Sequence, residues 1–305
     1  MRRADALSFG ALVVFGAGWG LGAPLTKIVV SEGYGGFGVV FWWQVLGLVS
    51  VALVAAFRGR GLVLTLPALR LYAVIALTGA VIPNYTSLLA AQTLPAGILS
   101  LVISTTPLLV FALGLLLERE RLDPLRILGL ALGLSAMAFV ALPETSLPER
   151  AMLAALPIAL VTPMCYAIES HSVAGYADLG LDPVQALLGA FLFGTLLTLP
   201  LALASGTFIV PAATRGQAAM AVGAVLNAGI YVGYVWLVGR AGPTFAAQVS
   251  YLVTAFGLVW AMLLLGERFS GWVWLAFVLL MAGIALVQPR PRQRATCAAP
   301  AKDPT

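Results

Sequence analysis

Long apolar runs without interruption constrain the fold of this sequence more than any other feature. Among its 305 residues, 61% are hydrophobic and only 10% are charged, a balance far from that of soluble domains. In a bilayer, backbone amides must find partners inside the chain, so spanning segments are helices or closed barrels. Barrel strands alternate polar and apolar residues with a period of two. The continuous runs here instead predict an all-α integral membrane protein, with the lipid bilayer as its surroundings.

The apolar runs divide into ten segments of about 20 residues, the length that crosses a bilayer as a helix. Gly- and Pro-rich joints separate the segments, and most joints are too short to hold a domain outside the membrane. Ten transmembrane helices are therefore expected, followed by a basic tail over residues 289–305. The predicted helices cover residues 6–29, 36–57, 69–92, 95–117, 124–142, 151–171, 184–204, 217–238, 243–265 and 271–288.

Lys and Arg residues determine the predicted orientation, because positively charged loops stay in the cytoplasm. With the N-terminus inside, thirteen of the 17 Lys and Arg residues fall on the inner side. Only Lys27, Arg150, Arg215 and Arg268 fall on the outer side. We therefore expect both termini in the cytoplasm and the protein in the inner (plasma) membrane. The same loop positions account for the net charge of +5, so no nucleic-acid partner is expected.

The chain also repeats itself at a spacing of 149 residues. The most informative match pairs Glu118-Arg119 with Glu267-Arg268, each at the end of the fourth helix of a half. Five helices per half is an odd number, so the two halves should insert with opposite orientations. The predicted halves cover residues 6–142 and 151–288. The other matched residues are Thr105, Val110, Ala112, Leu115 and Leu116, which align with Thr254, Val259, Ala261, Leu264 and Leu265.

Several short features follow one another in a fixed order: Trp19-Gly20, Lys27, Pro107, Glu118-Arg119, Gly129, Gly133, Glu267-Arg268 and Gly283. In order, spacing and duplication, they resemble the EamA-type families of the drug/metabolite transporter superfamily, over nearly the whole chain. The resemblance implies alternating access around a central cavity and a small-molecule substrate, such as an amino acid or a drug. Two positions depart from the pattern, since Phe256 stands opposite Pro107 and no lysine stands opposite Lys27. The resemblance therefore does not identify the substrate.

Polar side chains inside the predicted helices are candidate ligand contacts, because burying them in a membrane is costly. Asn227, Tyr231 and Tyr234 are spaced i, i+4 and i+7, so they share one helix face. Asn84 follows Pro83, which frees a backbone carbonyl and kinks its helix. The alternative is that such residues hydrogen-bond to neighbouring helices or anchor a helix at the interface. The candidate substrate-binding residues are Trp19, Asn84, Ser104, Tyr166, Asn227, Tyr231, Tyr234, Gln248 and Tyr251.

The fourth and ninth helices are related by the repeat, so their polar residues should lie close together. Ser104 and Thr105 in the fourth helix are expected to meet Gln248 and Tyr251 in the ninth. Glu118 and Glu267 close these two helices, and we interpret both as structural residues. Each is expected to lock its helix end to the adjacent loop.

Two charged residues are candidates for coupling transport to an ion. Glu169 shares a helix face with Tyr166, and an acid at such a position can carry a proton. Its alternative role is in a solvated cluster with His171 and Asp178 near the helix end. Lys27 lies near the outer end of the first helix, where it either meets an anionic group or extends its amine to the interface.

These features favour a secondary transporter, with export as the expected direction. No metal or cofactor is expected, because His171 is the only histidine, and no G-x-x-x-x-G-K-[ST] motif is present. A multi-span membrane enzyme acting on lipid would need an acid, base or metal constellation that the scattered carboxylates do not supply. A non-transporting channel or assembly subunit is a third hypothesis. The sequence leaves the substrate, the coupling ion, the direction of flux and the oligomeric state open.

Overall fold

The computed structural model describes residues 6–120, 122–141, 150–174 and 179–287. These residues form helices and connecting turns, with no β-strand among them, which confirms the predicted all-α class. We number the ten longer helical segments α1 to α10, and a single helical turn over Pro243–Ala246 precedes α9. The segments are α1 Ala6–Ser31, α2 Gly36–Phe57, α3 Leu66–Thr93, α4 Ala96–Leu116, α5 Pro124–Ala141, α6 Arg150–Ala174, α7 Pro183–Ala204, α8 Arg215–Ala241, α9 Val249–Leu265 and α10 Gly271–Val287.

The first eight segments are long and apolar enough to cross a membrane, judged by length and composition. The last two, α9 and α10, are shorter apolar helices of 17 residues each. At about 1.5 Å per residue, such a helix is slightly shorter than a hydrocarbon core of about 30 Å. The count of ten membrane crossings therefore stays a prediction.

Three of the long segments are interrupted near their middle. The first, α1, breaks at Leu21. Helix α4 breaks at Thr105, two residues before Pro107, which cannot donate a hydrogen bond to the preceding turn. Helix α3 contains a π-helical stretch over Ile75–Val81, just before Pro83. Because π-turns interrupt the regular hydrogen bonds of a helix, they are frequent at functional sites.

Glycines bring helices into close contact at two places. A Cβ added at Gly20 on α1 would lie 3.0 Å from the backbone nitrogen of Gly257 on α9. A Cβ added at Gly129 on α5 would lie 2.7 Å from the carbonyl oxygen of Gly283 on α10. Small residues allow backbones to approach in this way inside membranes. These contacts hold α1 against α9 and α5 against α10.

The helix packing repeats between the two halves of the chain. Helix α1 packs against α8 and α9, and α6, five helices later, packs against α3 and α4. In the same way α2 packs against α8, and α7 packs against α3. Helices α1 and α8 thus form one pair, α3 and α6 form its counterpart, and α1 also contacts α3. Most of the predicted site residues lie on these four helices.

Candidate substrate site

An aromatic and amide cluster joins α1 and α8 about halfway along both helices. The Trp19 indole Nε1–H group donates to the Asn227 Oδ1 atom at 3.0 Å. The ring centroids of Trp19 and Tyr234 lie 5.3 Å apart. The Asn227 amide nitrogen has no hydrogen-bond partner in the part of the chain that the structure describes. Three of the predicted contacts therefore lie together, far from the ends of both helices, with one amide donor free for a ligand.

A compact set of hydroxyl groups joins α3 to α6. The Thr162 Oγ1 atom donates to the Pro83 carbonyl oxygen at 3.0 Å and lies 2.9 Å from Ser87 Oγ. It also lies 3.0 Å from Thr86 Oγ1. Ser87 and Thr162 are buried and bond to one another, so their role is helix–helix contact.

The Glu169 carboxylate on α6 lies against the π-helical stretch of α3. A Cβ added at Gly79 would lie 2.6 Å from the Glu169 carboxyl carbon and 2.8 Å from Oε2, so the lack of a side chain at Gly79 makes room for the carboxylate. Among the described residues, Glu169 has no ion-pair or hydrogen-bond partner. Its carboxylate lies near the side chains of Tyr166 and Tyr231. An unpaired carboxylate inside a membrane helix is costly, which makes Glu169 a candidate functional residue.

Other predicted contacts on these helices also present polar atoms without protein partners. Neither the Asn84 amide nor the hydroxyl groups of Tyr166, Tyr231 and Tyr234 bond to any residue that the structure describes. All four side chains are at least partly accessible. Tyrosine combines an apolar ring with a polar hydroxyl group, which suits ligands that have both characters. Each of the three tyrosines therefore presents an apolar ring and a hydroxyl group that no described residue uses.

Ser104 hydrogen-bonds to a residue of α9 that the repeat pattern did not name as its neighbour. Thr254 Oγ1 on α9 lies 2.7 Å from Ser104 Oγ, and Ser104 itself donates to the Ser100 carbonyl oxygen. Gln248 is exposed and Tyr251 is half-buried, and their side chains make no hydrogen bond within the described ranges. The bond of Ser104 thus goes to Thr254 instead of Gln248 or Tyr251, and it joins α4 to α9.

Lys27 and Glu267 lie away from this cluster and bond to backbone groups. The Lys27 Nζ atom donates to the carbonyl oxygens of Ala91 and Leu94 at 2.7 and 3.0 Å. Two of the three N–H donors of this amine are therefore used by backbone carbonyl groups in this conformation. Glu267 bonds to amides at the start of α4, in the other half of the chain, and not to the loop beside its own helix as the sequence predicted.

The end of α6 is also tied to backbone groups. The His171 Nε2 atom lies 2.8 Å from the Val110 carbonyl oxygen, and Arg119 donates to the His171 carbonyl oxygen at 2.8 Å. Asp178, the other predicted neighbour of Glu169, lies outside the described residues. No group of three or more His, Cys, Asp or Glu side chains in the described ranges could hold a metal ion. This end of α6, as far as it is described, supplies no ion pair for Glu169.

Two residues that shape these contacts were missed by sequence reasoning. Gly79 is one of 32 glycines, and nothing in its apolar surroundings distinguishes it. The available signal was Pro83, four residues later, which weakens the helical hydrogen bonds at this point. Thr254 was recognised only as the repeat partner of Thr105, although its side chain contacts Ser104.

Comparisons with known proteins bear on the whole chain. The EamA-like transporter family model matches it twice, over residues 7–142 and 152–288. One solved structure, described only as the crystal structure of a protein, covers 93% of this chain and 95% of its own length, with a TM-score of 0.62 and 17% identity. At this identity the likeness shows the fold alone. A search of curated proteins found no significant match. Because the two family matches cover most of the sequence, the chain belongs to the EamA-like transporter family, within the drug/metabolite transporter superfamily.

Proposed function

We propose that this protein is a secondary transporter that exports small metabolites, such as amino acids or drug-like compounds, across the plasma membrane. The observation that carries the proposal is the set of unpartnered polar groups well inside α3, α6 and α8. Such groups are costly in a membrane unless they meet water, a ligand or an ion. Transporters place substrate sites near the midplane, between their repeats. Membership of a transporter family supports the same conclusion.

In this proposal, ten helices cross the membrane in two inverted halves, residues 6–142 and 151–288, which rock about the site to open it to either side. The repeated packing of α1 with α8 and of α6 with α3 supports this symmetry. Both termini lie in the cytoplasm, as the bias of Lys and Arg indicates. A reporter fused after Arg294 should therefore be cytoplasmic, and one inserted near Gly35 should be external. Two reporters on the same side would contradict the arrangement.

The apolar body of the substrate would pack against the rings of Trp19 and Tyr234, which lie in contact. The amides of Asn84 and Asn227 would bond to its polar groups, because each has hydrogen-bonding capacity that no described residue uses. In the proposal, the Tyr231 hydroxyl group, which lies beside Glu169, also bonds to the substrate. Aromatic rings with polar edges favour ligands that combine apolar and polar parts.

The proposed binding set is completed by Tyr166 on α6, Tyr251 on α9 and Gln248, which directly precedes α9. Their side-chain polar groups have no hydrogen-bond partner among the described residues. Ser104 has a structural role in the proposal, because its hydroxyl group is occupied by Thr254 and Ser100.

Glu169 is the proposed coupling residue. As the site alternates, its carboxylate takes up a proton on one side of the membrane and releases it on the other. A carboxylate without an ion pair can change its charge without leaving a basic side chain unpaired. Lys27 is not assigned this role, because its amine already bonds to two carbonyl oxygens.

Flux into proteoliposomes tests the proposal. A thermal-shift screen of metabolites on the purified protein selects ligands, because a compound that binds only the folded state raises its stability. We expect saturable flux of such a ligand, driven by an imposed pH gradient. Chemical conversion of the ligand without flux would indicate a membrane enzyme. Flux that does not saturate would indicate a channel, and either result would contradict the proposal.

A further inference from the structure

The turn between α3 and α4 leaves backbone groups without helical partners. Leu94 is extended, with a ψ angle of 145°, as expected for a residue directly before a proline. Helix α3 therefore ends at Thr93, and α4 begins at Ala96. The last carbonyl groups of α3 and the first amides of α4 must find partners outside their own helices.

Lys27 on α1 supplies donors to this turn. Its Nζ atom donates to the Ala91 carbonyl oxygen at 2.7 Å and to the Leu94 carbonyl oxygen at 3.0 Å. A positive charge at the C-terminal end of α3 also interacts favourably with the helix dipole. The end of α3 is thus held by a side chain of the same half.

Glu267, in the second half of the chain, supplies the acceptors. Its Oε1 atom accepts from the Ala96 amide at 2.6 Å, and Oε2 accepts from the Gly97 amide at 3.0 Å. Phe269 packs behind these bonds, since a Cβ added at Gly97 would lie 2.8 Å from its Cε1 atom. Two charge-assisted hydrogen bonds and one ring contact therefore bind the turn after α9 to the start of α4.

We propose that Lys27, Glu267 and Phe269 form a latch that holds this end of the helix bundle closed, and that opening the latch exposes the central site to that side of the membrane. The inference rests on the proposed transport function. Glu267 joins the two halves, so a rocking motion that separates them here must break both of its bonds. Lys27 keeps the α3–α4 turn in the position that receives Glu267, and its charge also attracts that carboxylate.

Glu118 provides a matched control within the same chain. It occupies the position of Glu267 in the sequence repeat. Its φ angle is 55°, and its side chain is exposed and bonds to no described residue. Glu118→Gln therefore removes a carboxylate of the same size without breaking a latch bond.

The test measures the separation across this end by pulsed electron spin resonance. Spin labels are attached at Gln92→Cys and Gly271→Cys, both at exposed positions, after Cys165 and Cys297 are replaced by serine. Glu267→Gln should increase the ratio of long to short separations roughly tenfold, a shift that a modest bias between two states produces. Lys27→Met should act in the same direction but less strongly. Glu118→Gln should leave the distribution unchanged.

An unchanged separation in both latch variants, with a lowered melting temperature, would mean that these contacts only stabilise the fold and would overturn the latch. An equal shift in Glu118→Gln would overturn it as well. Should Glu267→Gln not fold, Phe269→Ala carries the same expectation. The measurement needs no substrate, so the two proposals fail separately. Saturable flux without a latch shift rejects the latch, whereas a latch shift without flux of any screened ligand rejects transport and leaves the latch in place.

Discussion

Polar groups at the α3–α4 end of the bundle differ from those in its middle in how they are partnered. At the end, Lys27 and Glu267 each bond to two backbone groups at 3.0 Å or less. In the middle, where the Glu169 carboxylate lies against the central part of α3, the side chains of Glu169 and Tyr231 have no hydrogen-bond partner in the described part of the chain. The Asn227 amide nitrogen has none either. Both regions lie among apolar helices, so the difference is not one of composition.

The contrast separates groups that hold the fold together from groups left for a ligand or an ion. Removing a charged side chain that bonds to backbone groups is destabilising, because those backbone groups lose their partners. An unpaired group contributes no such bond, so removing it should cost little stability. Substitutions at the end should therefore change stability and closure, and substitutions in the middle should change transport.

The largest effect on transport is expected from Glu169→Gln, which keeps the shape of the side chain and removes its charge. Accumulation driven by a pH gradient should fall by at least about tenfold, because the variant cannot carry a proton. Exchange of substrate across a membrane without a gradient should persist. Uptake of labelled substrate into proteoliposomes, with and without the gradient, measures both. Normal accumulation by the variant would mean that coupling lies elsewhere.

Glu267→Ala should lower the free energy of unfolding by about 2–3 kcal/mol, because two amides at the start of α4 lose charge-assisted bonds. Glu118→Ala should change it by less than about 0.5 kcal/mol, as is usual for an exposed side chain. Thermal unfolding of both variants in one detergent measures the difference. Equal losses of unfolding free energy in the two variants would show that the bonds of Glu267 stabilise the fold no more than the exposed side chain of Glu118 does.

Asn227→Ala should reduce transport about five- to tenfold, near 1 kcal/mol, the size of one hydrogen bond. The variant removes the acceptor of the Trp19 indole N–H group. It also removes the amide that is proposed to bond to the substrate. Expression and melting temperature should stay close to those of the unmodified protein. Ser87→Ala is the control, since Ser87 bonds to Thr162 and its loss should lower stability while preserving flux. A parallel loss of expression and flux in Asn227→Ala would assign Asn227 to the fold.

The smallest effect is expected from Tyr231→Phe, which removes one hydroxyl group beside Glu169. Flux should fall about two- to threefold, less than a full hydrogen bond contributes, because the ring stays in place. Tyr85→Phe is the matched control, since the Tyr85 ring stacks on Phe37 at 4.4 Å and the phenyl ring keeps this contact. Initial rates measured at several substrate concentrations compare the two. A larger loss in the control would contradict the assignment.

Helix placement could be predicted closely from the sequence. The predicted helix over 36–57 is observed as Gly36–Phe57, and the one over 124–142 as Pro124–Ala141. A membrane span must satisfy its own backbone groups, so length and apolarity decide where it lies. Local sequence carries both quantities, and no tertiary contact is needed to specify them.

The site could be predicted only in part. The spacing of Asn227 and Tyr234 put both on one face of α8, but the bond from Trp19 to Asn227 depends on how α1 packs against α8. The π-helical stretch of α3 was not expected, because it lies in an apolar run whose composition fits a regular helix. Its neighbours, the Glu169 carboxylate at Gly79 and the Thr162 hydroxyl group at Pro83, come from α6.

Sequence alone establishes the apolar helices, the duplication and the family of this protein, because each depends on a pattern along the chain. It does not establish which charges are bonded. Lys27 and Glu169 are both single charges near the end of a predicted helix, and the sequence treats them alike. In three dimensions Lys27 bonds to two carbonyl oxygens at the α3–α4 turn. The Glu169 carboxylate instead lies where a side chain at position 79 would be, and Gly79 offers it no hydrogen-bond donor there. The physical reason is that a charge between helices is bonded only where packing brings a complementary group within hydrogen-bond distance.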